Sequence, residues 1–239
     1  MLFLVRILAI LAAFFASGSL VMAGPIQIAS SSAYIHGNGS LLTQLDGNSV
    51  GYFSTLDTNN VGTFGWTYTN STASTIANFT MFGFLDADID SDINTFFNEY
   101  GEFIDLSLPP GAPGGSVAVS SWQIDEPGFV FGTILNDLAA GTLQNQNFVP
   151  SSAPDDVSLA LGSVLGDLAP GQTATLTMLI STSNIGGLKQ VDPDSGNLFY
   201  FNGYGLVSSL PPATGAPEPS SFILLGSGAA LCALFRSRK

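Results

Sequence analysis

Residues 173–180 read TATLTMLI, in which Ala174, Leu176, Met178 and Ile180 alternate with Thr173, Thr175 and Thr177. A period of two sends successive side chains to opposite sides of an extended chain, so this stretch is a strand with one face in a core and the other in water. Pro170-Gly171 just ahead of it marks a turn. The run 157–165 before that turn is expected to be its hairpin partner, with Pro154-Asp155-Asp156 interrupting the chain ahead of the pair.

The same pattern extends outward. Gly, Asn, Asp, Pro and Ser recur between short runs rich in Thr, Val, Phe and Tyr, which predicts further strands at 51–56, 64–69, 76–85, 117–124, 129–135 and 198–207. Strands this short and this numerous make the chain all-β, an Ig-like or jelly-roll type β-sandwich. The strongest internal break is Pro109-Pro110-Gly111-Ala112-Pro113-Gly114-Gly115. It reads as a long surface loop within one sandwich at 24–209, with a boundary between two subdomains as the alternative.

Both ends of the chain differ from this body. Residues 1–23 carry Arg6 as their one charge, an apolar stretch from Ile7 to Phe15, and small or apolar residues through Val21-Met22-Ala23 before Gly24. That is the layout of a secretory signal peptide, with cleavage expected between Ala23 and Gly24. At the other end, 210–216 is a Pro-rich linker, followed by Pro217-Glu218-Pro219, an uncharged apolar run from Phe222 to Phe235, and the cations Arg236, Arg238 and Lys239. As a helix the apolar run covers roughly 21 Å at about 1.5 Å per residue. It is short of a hydrocarbon core of about 30 Å, and snorkelling of the three terminal cations makes up part of the difference. Those cations form a membrane stop that keeps this end inside the cell.

The tripeptide, the apolar helix and the basic terminus, in this order and spacing, resemble the PEP-CTERM sorting signal of exported bacterial proteins. The resemblance covers the segment 217–239 alone. It implies processing by an exosortase-type membrane transpeptidase, a transient anchor in the inner membrane through the C-terminal helix, and delivery to the cell surface or an extracellular matrix that contains exopolysaccharide.

Charge narrows the choice of partners. All 18 acidic residues lie between Asp46 and Glu218, and Lys189 is the one cation outside the two ends, so the exported part carries a net charge near −17. Such a surface repels nucleic acid and anionic lipid, since binding to phosphate needs cations that displace counterions. Divalent cations and neutral glycans suit it better. Cys232, the only cysteine, lies in the apolar C-terminal run, so the exported part forms no internal disulfide and depends on its core.

Metal chemistry is suggested at 86–99. Asp86, Asp88, Asp90, Asp92 and Asn94 occupy every second position and Glu99 follows. Counted from Asp88, the residues Asp90, Asp92, Asn94 and Glu99 fall on the third, fifth, seventh and twelfth positions of an EF-hand loop, whose oxygens hold calcium. Ile93 stands where that loop needs glycine, and no amphipathic helix precedes it. The alternative is a bare strand edge, with the four aspartates on one solvated face and Ala87, Ile89 and Ile93 near the other. A second oxygen-rich stretch, Asp192-Pro193-Asp194-Ser195-Gly196-Asn197, reads as an ordinary turn.

Catalytic constellations are scarce. His36 is the one histidine, and it lies in a Gly-Asn-Gly stretch that reads as a surface turn. Imidazole or thiolate metal sites and a serine triad are therefore disfavoured. Asp125 and Glu126 near Trp122 suggest a glycosidase-like pair, but neighbours on a strand point apart, so an acidic turn is the simpler reading. Phe96, Phe97, Tyr100 and Phe103 are spaced like the core-facing side of a short helix, with a platform for sugar rings as the alternative. The expectation is an exported structural or adhesive protein without catalysis, with a carboxylate-dependent polysaccharide hydrolase or a glycan-binding protein as the alternative.

Overall fold

A computed structural model of the chain describes residues 26–90 and 95–209. Ala23, Gly24, the linker 210–216, Pro217, Glu218, Pro219, the run 222–235, and Arg236, Arg238 and Lys239 lie outside the described residues, as do Asp92 and Asn94. Among the described residues no helix is long and apolar enough to cross a membrane.

The fold is all-β, two antiparallel sheets packed face to face. The strands are β1 (Ile26–Gly37), β2 (Ser40–Asp46), β3 (Tyr52–Ser54), β4 (Gly62–Thr69), β5 (Ile76–Ile89), β6 (Tyr100–Asp105), β7 (Val117–Ala118), β8 (Ser121–Asp125), β9 (Ser158–Leu168), β10 (Gln172–Ser181), β11 (Gly187–Val191) and β12 (Leu198–Ser209). One sheet runs β2-β1-β5-β9-β8; the other runs β3-β4-β10-β12-β11-β6, with β7 added on β12. Both sheets take strands from either side of the Pro-Gly stretch at 109–115, which is a loop between β6 and β7.

The apolar face of β10 is where its residues predict, with Ala174, Leu176, Met178 and Ile180 buried, but the other face is not simply wet, since Thr173 and Thr175 are half-buried and Thr177 is buried. They meet Ile35, Met81, Leu85, Leu159 and Leu161 of the other sheet in one core with Phe64, Trp66, Phe199 and Phe201. Phe64 packs edge-on against Trp66 at 5.5 Å between ring centroids, and the Trp66 indole N–H donates to the Asp46 carbonyl at 3.0 Å, so its buried polar atom is satisfied. Removing such a side chain from water contributes about 2–3 kcal/mol.

Three expectations need correction. First, β9 and β10 are not a hairpin: β9 pairs with β5 and β8, whereas β10 pairs with β12 and β4. Pro170-Gly171 is a corner at which the chain changes sheets, tied down by Asn70, whose carbonyl accepts from Gly171 N–H at 2.8 Å and whose amide donates to Leu168 O at 2.8 Å. Second, 129–135 is not a strand. Residues 126–133 form a loop and α1 (Ile134–Ala140) follows. Third, Phe96–Asn98 is a single 3-10 turn with both phenylalanines exposed, and Tyr100 and Phe103 belong to β6, so the short core-facing helix does not form.

The outer face of the five-stranded sheet is covered in part. Ile134, Leu138 and Leu143 sit on Tyr34, Phe82, Phe84 and Ala160 as a second, smaller core. His36 is buried here rather than on a surface turn: its Nε2–H donates to Leu138 O at 2.8 Å and its ring meets Phe82 edge-on at 5.5 Å. Gly141 ends α1 in the left-handed region at φ 75°, and a Cβ there would lie 2.7 Å from His36 Nδ1. Only glycine lets the helix end rest on the imidazole.

Candidate functional site

Beyond α1 the same outer face turns acidic. On β5 the side chains of Met81, Leu85, Ala87 and Ile89 enter the core, so Phe82, Phe84, Asp86 and Asp88 point outward by the strand's period of two. Asp86 lies opposite Ser30 of β1 and Ser158 of β9, and Ser158 lies opposite Asp125 of β8, giving one polar row across four strands. Ser158 Oγ donates to Asp86 Oδ1 at 3.3 Å. The face is not the solvated edge that alternation alone suggests, because Asp86 is buried.

Over part of this face, beside Ser30, Ser32 and Phe84, lies Phe129 of the loop 126–133. Asp125 holds both ends of that loop: Oδ1 accepts from Glu126 N–H at 2.9 Å and Oδ2 from Thr133 N–H at 2.8 Å. Asp137 braces the next turn by accepting from Gln123 at 2.9 Å, Thr133 Oγ1 at 2.8 Å and Gln144 at 2.8 Å. Gly132, at φ 82°, comes so near the Glu126 carbonyl that a Cβ would lie 2.5 Å from its oxygen. With its ends fixed, the loop presents Phe129, Val130 and Phe131 outward at 67%, 82% and 69% exposure. The exposed Phe96–Phe97 pair, with ring centroids 4.1 Å apart, lies across a cavity of about 260 Å³ that Glu126, Phe129, Phe131 and Asp156 also line. Phe129 closes one side of a second cavity of about 230 Å³ as well, over Ser30, Ser32, Tyr34 and Phe84.

The carboxylates of this cleft hold their protons unusually well. Burial, then the Asp88 charge, pushes Asp86 up to about 6 against the opposing hydrogen bond from Ser158. Burial, then the charges of Asp86, Asp88, Asp155 and Glu126, pushes Asp156 up to about 7. Glu126 is raised by burial and by Asp155 and Asp125. The causes are shared: burial first, then the charges of neighbouring carboxylates with no cation among them. Lys189 is the one lysine or arginine among the described residues, and its Nζ is committed to Glu102 at 2.5 Å.

The residues expected to bind calcium part company here. Strand β5 leads into them and the 3-10 turn with β6 follows, so the helices of an EF-hand are absent on both sides. Asp88 belongs to the outer face. Asp90, at φ 58°, is buried and accepts from the Asn197 amide. Glu99 is fully buried, accepts from Ile89 N–H at 2.6 Å and from the Gln190 amide, and is pushed by burial up to about 8 despite those two donors. Asp92 and Asn94 lie outside the described residues. As the side chains stand, no group of three or more His, Cys, Asp or Glu among the described residues is arranged to hold a metal ion.

Sequence reasoning missed Asp156 and the aromatic tip. Asp156 looks like part of a turn, and Phe129-Val130-Phe131 looks like a strand. The available signal was Gly128 and Gly132 bracketing the apolar triplet, both at φ 82°. Asp125, the last residue of β8, is consumed in clamping the loop, and Glu126, the first residue of that loop, lines the cavity. Comparison of the chain with protein families, with curated proteins and with solved structures finds no match, so the cleft is interpreted from its own chemistry.

Proposed function

We propose that the chain is an exported protein of the cell surface or extracellular matrix that does structural or adhesive work without catalysis. In this reading it is an Ig-like or jelly-roll type sandwich, sorted through Pro217-Glu218-Pro219 by an exosortase-type partner and held at the inner membrane by the C-terminal helix until released. The observation that carries the adhesive part is the exposed apolar tip at Phe129, Val130 and Phe131, fixed at both ends by Asp125 and set beside carboxylates. A monomer gains nothing by holding such a patch in water, which makes it a surface for a partner. Phenyl faces suit the C–H surfaces of sugar rings and carboxylates accept from sugar hydroxyls, so exopolysaccharide is the ligand class.

The test is retention of the full-length chain in a gel cast with the producing cell's own exopolysaccharide. The protein is expected to be retarded, and a double Phe129→Ala, Phe131→Ala variant to bind at least about tenfold more weakly; free migration of the unaltered protein sinks the reading. For sorting, Glu218→Ala is expected to block the change in size that follows export.

One observation favours a second reading, a carboxylate-dependent polysaccharide hydrolase. Glu126 and Asp156 come from different segments, line one cavity and both hold protons above the ordinary carboxyl range, as a general acid must. Release of reducing ends that is lost in both Glu126→Gln and Asp156→Asn would establish it, and no release on prolonged incubation would remove it.

A further inference from the structure

A second group of carboxyls lies apart from the aromatic cleft, where the end of β5, the start of β6 and the β11–β12 loop meet. Asp90, Glu99 and Asp192 are each at most 3% exposed. Three amides stand among them. Gln190 donates to Glu99 and to Ala87 O, Asn197 donates to Asp90, and Asn98 donates to Asp192 at 3.2 Å and to Asp194 at 2.9 Å. The 192–197 stretch is thus more than an ordinary turn. Asp192 folds it around itself by accepting from Asp194 N–H at 2.8 Å and Ser195 Oγ at 2.7 Å, which brings Asn197 back over β5.

This arrangement leaves one donor–acceptor account open. Gln190 is completely buried, its amide nitrogen is against the Glu99 carboxylate, and its Oε1 has no hydrogen-bond partner. Asn98 Oδ1 is also buried without a partner. A buried amide oxygen left unmet costs about 1–3 kcal/mol, and buried carboxylates without a counter-charge cost more. A hard cation supplies the counter-charge the carboxylates lack, and each amide, turned over, offers it an oxygen where its nitrogen stood.

We infer that Asp90, Glu99 and Asp192, with the amide oxygens of Gln190, Asn98 and Asn197, form a binding site for one calcium ion that ties the β11–β12 loop to the end of β5. Calcium rather than magnesium fits, because three carboxylates and three amides offer up to nine oxygens, and calcium takes six to eight in irregular geometry where magnesium demands a near-ideal octahedron. This site differs from a self-contained EF-hand on 88–99. Its ligands come from two segments about a hundred residues apart in sequence, and it does not depend on the glycan reading of the outer cleft.

The experiment is thermal melting and calorimetric titration of the full-length chain in mild detergent, with chelator and with millimolar calcium. Calcium is expected to raise Tm, since a ion bound only by the folded state must stabilise it, and magnesium to do so far less. Asp90→Asn keeps a residue that tolerates the left-handed backbone there and is expected to weaken calcium binding at least about tenfold, whereas Asp156→Asn in the outer cleft leaves the affinity unchanged. Asn197→Asp supplies a readout of the opposite sign: a lower Tm than the unaltered protein under chelator, recovered when calcium is added. The inference is overturned if calcium produces neither heat nor a Tm shift in the unaltered chain. It is equally overturned if Asp156→Asn abolishes binding while Asp90→Asn does not, or if Asn197→Asp is not recovered by calcium.

Discussion

The molecule holds two groups of carboxyls that differ in what surrounds them. In the outer cleft, Asp156 and Glu126 line a cavity rimmed by phenyl rings, and Asp86 is buried on the same face with one serine hydroxyl as its donor. Between β5, β6 and the β11–β12 loop, Asp90, Glu99 and Asp192 are closed off from solvent and crowded with amide donors. The first group is open, weakly satisfied and next to apolar surface, which suits a large ligand that brings its own hydroxyls. The second is closed and lined by oxygen donors that need only turn, which suits an ion. The same residue type serves two purposes because the neighbours decide whether charge is lost to a proton, a partner or a cation.

The comparison breaks most severely at Asp125, which frames the open group without belonging to it. Asp125→Ala leaves the Glu126 and Thr133 N–H groups without their carboxylate acceptor. The expected cost is about 3 kcal/mol, from two lost hydrogen bonds at about 1–2 kcal/mol each. For a chain of this size that lowers Tm by roughly 6–12 °C. Denaturant melts of the variant check this. A loss below about 1 kcal/mol would mean that the loop is held by its apolar contacts, and the exposed tip would then lose its argument for rigidity.

Next in size is the response to pH. Asp86 and Asp156 hold their protons in the folded state up to about 6 and about 7, while the unfolded chain releases them near 4. Between those values the folded state binds more protons, so stability is fully present below pH 4 on this account and is lost as pH rises through about 7. Hydrogen bonds from Asn48 hold Asp46 low, and those from Ser107 hold Asp105 low. These two work in the other direction, but below pH 4. Melts in chelator are expected to show Tm falling by several degrees from pH 5 to pH 7.5, and Asp156→Asn to flatten that slope and to be more stable than the unaltered chain at pH 7.5. A rise in Tm over that range would contradict the crowding of unpaired carboxyls in the cleft.

Period-two alternation made β10 legible, because its apolar and polar residues alternate between two faces, whereas β5 is buried on both faces and was read from its apolar and β-branched content. Alternation cannot say which sheet a strand joins, so the β9–β10 pair was read as a hairpin when Pro170-Gly171 is a corner. Ser30 and Ser32 in the middle of β1 went unread, and their reason for being polar is the outer face they share with Asp86. The spacing of Phe96, Phe97, Tyr100 and Phe103 fits a helix by coincidence, since two of them belong to a 3-10 turn and two to a strand. Of the site, the acidic run was visible at once. Its partners Asp156, Gln190 and Asn197 were not, because nothing local announces a contact made across the two sheets.

A smaller effect on stability, though a decisive one on binding, is expected at the aromatic tip. Phe129→Ser with Phe131→Ser removes side chains that are mostly in water, so folding should change by no more than about 0.5 kcal/mol. A larger loss would show that the tip packs within the chain and is no docking surface.

The smallest expected effect comes from Lys189, and it examines why a lysine next to Gln190 leaves the closed group uncompensated. Lys189 and Gln190 are successive residues of β11, so their side chains leave the strand on opposite sides. Lys189 pairs across to Glu102 of β6, while Gln190 enters the interior beside Glu99. Glu102 is 41% exposed, so the ion pair is screened by water and contributes less than about 1 kcal/mol. Glu102→Gln should therefore lower Tm by no more than a few degrees. Calcium affinity should stay within about threefold of the unaltered chain, because the freed ammonium still points away from Asp90, Glu99 and Asp192. A marked weakening of calcium binding in this variant would mean that the strand's period does not separate the two charges, and that the lysine and the ion compete for one field.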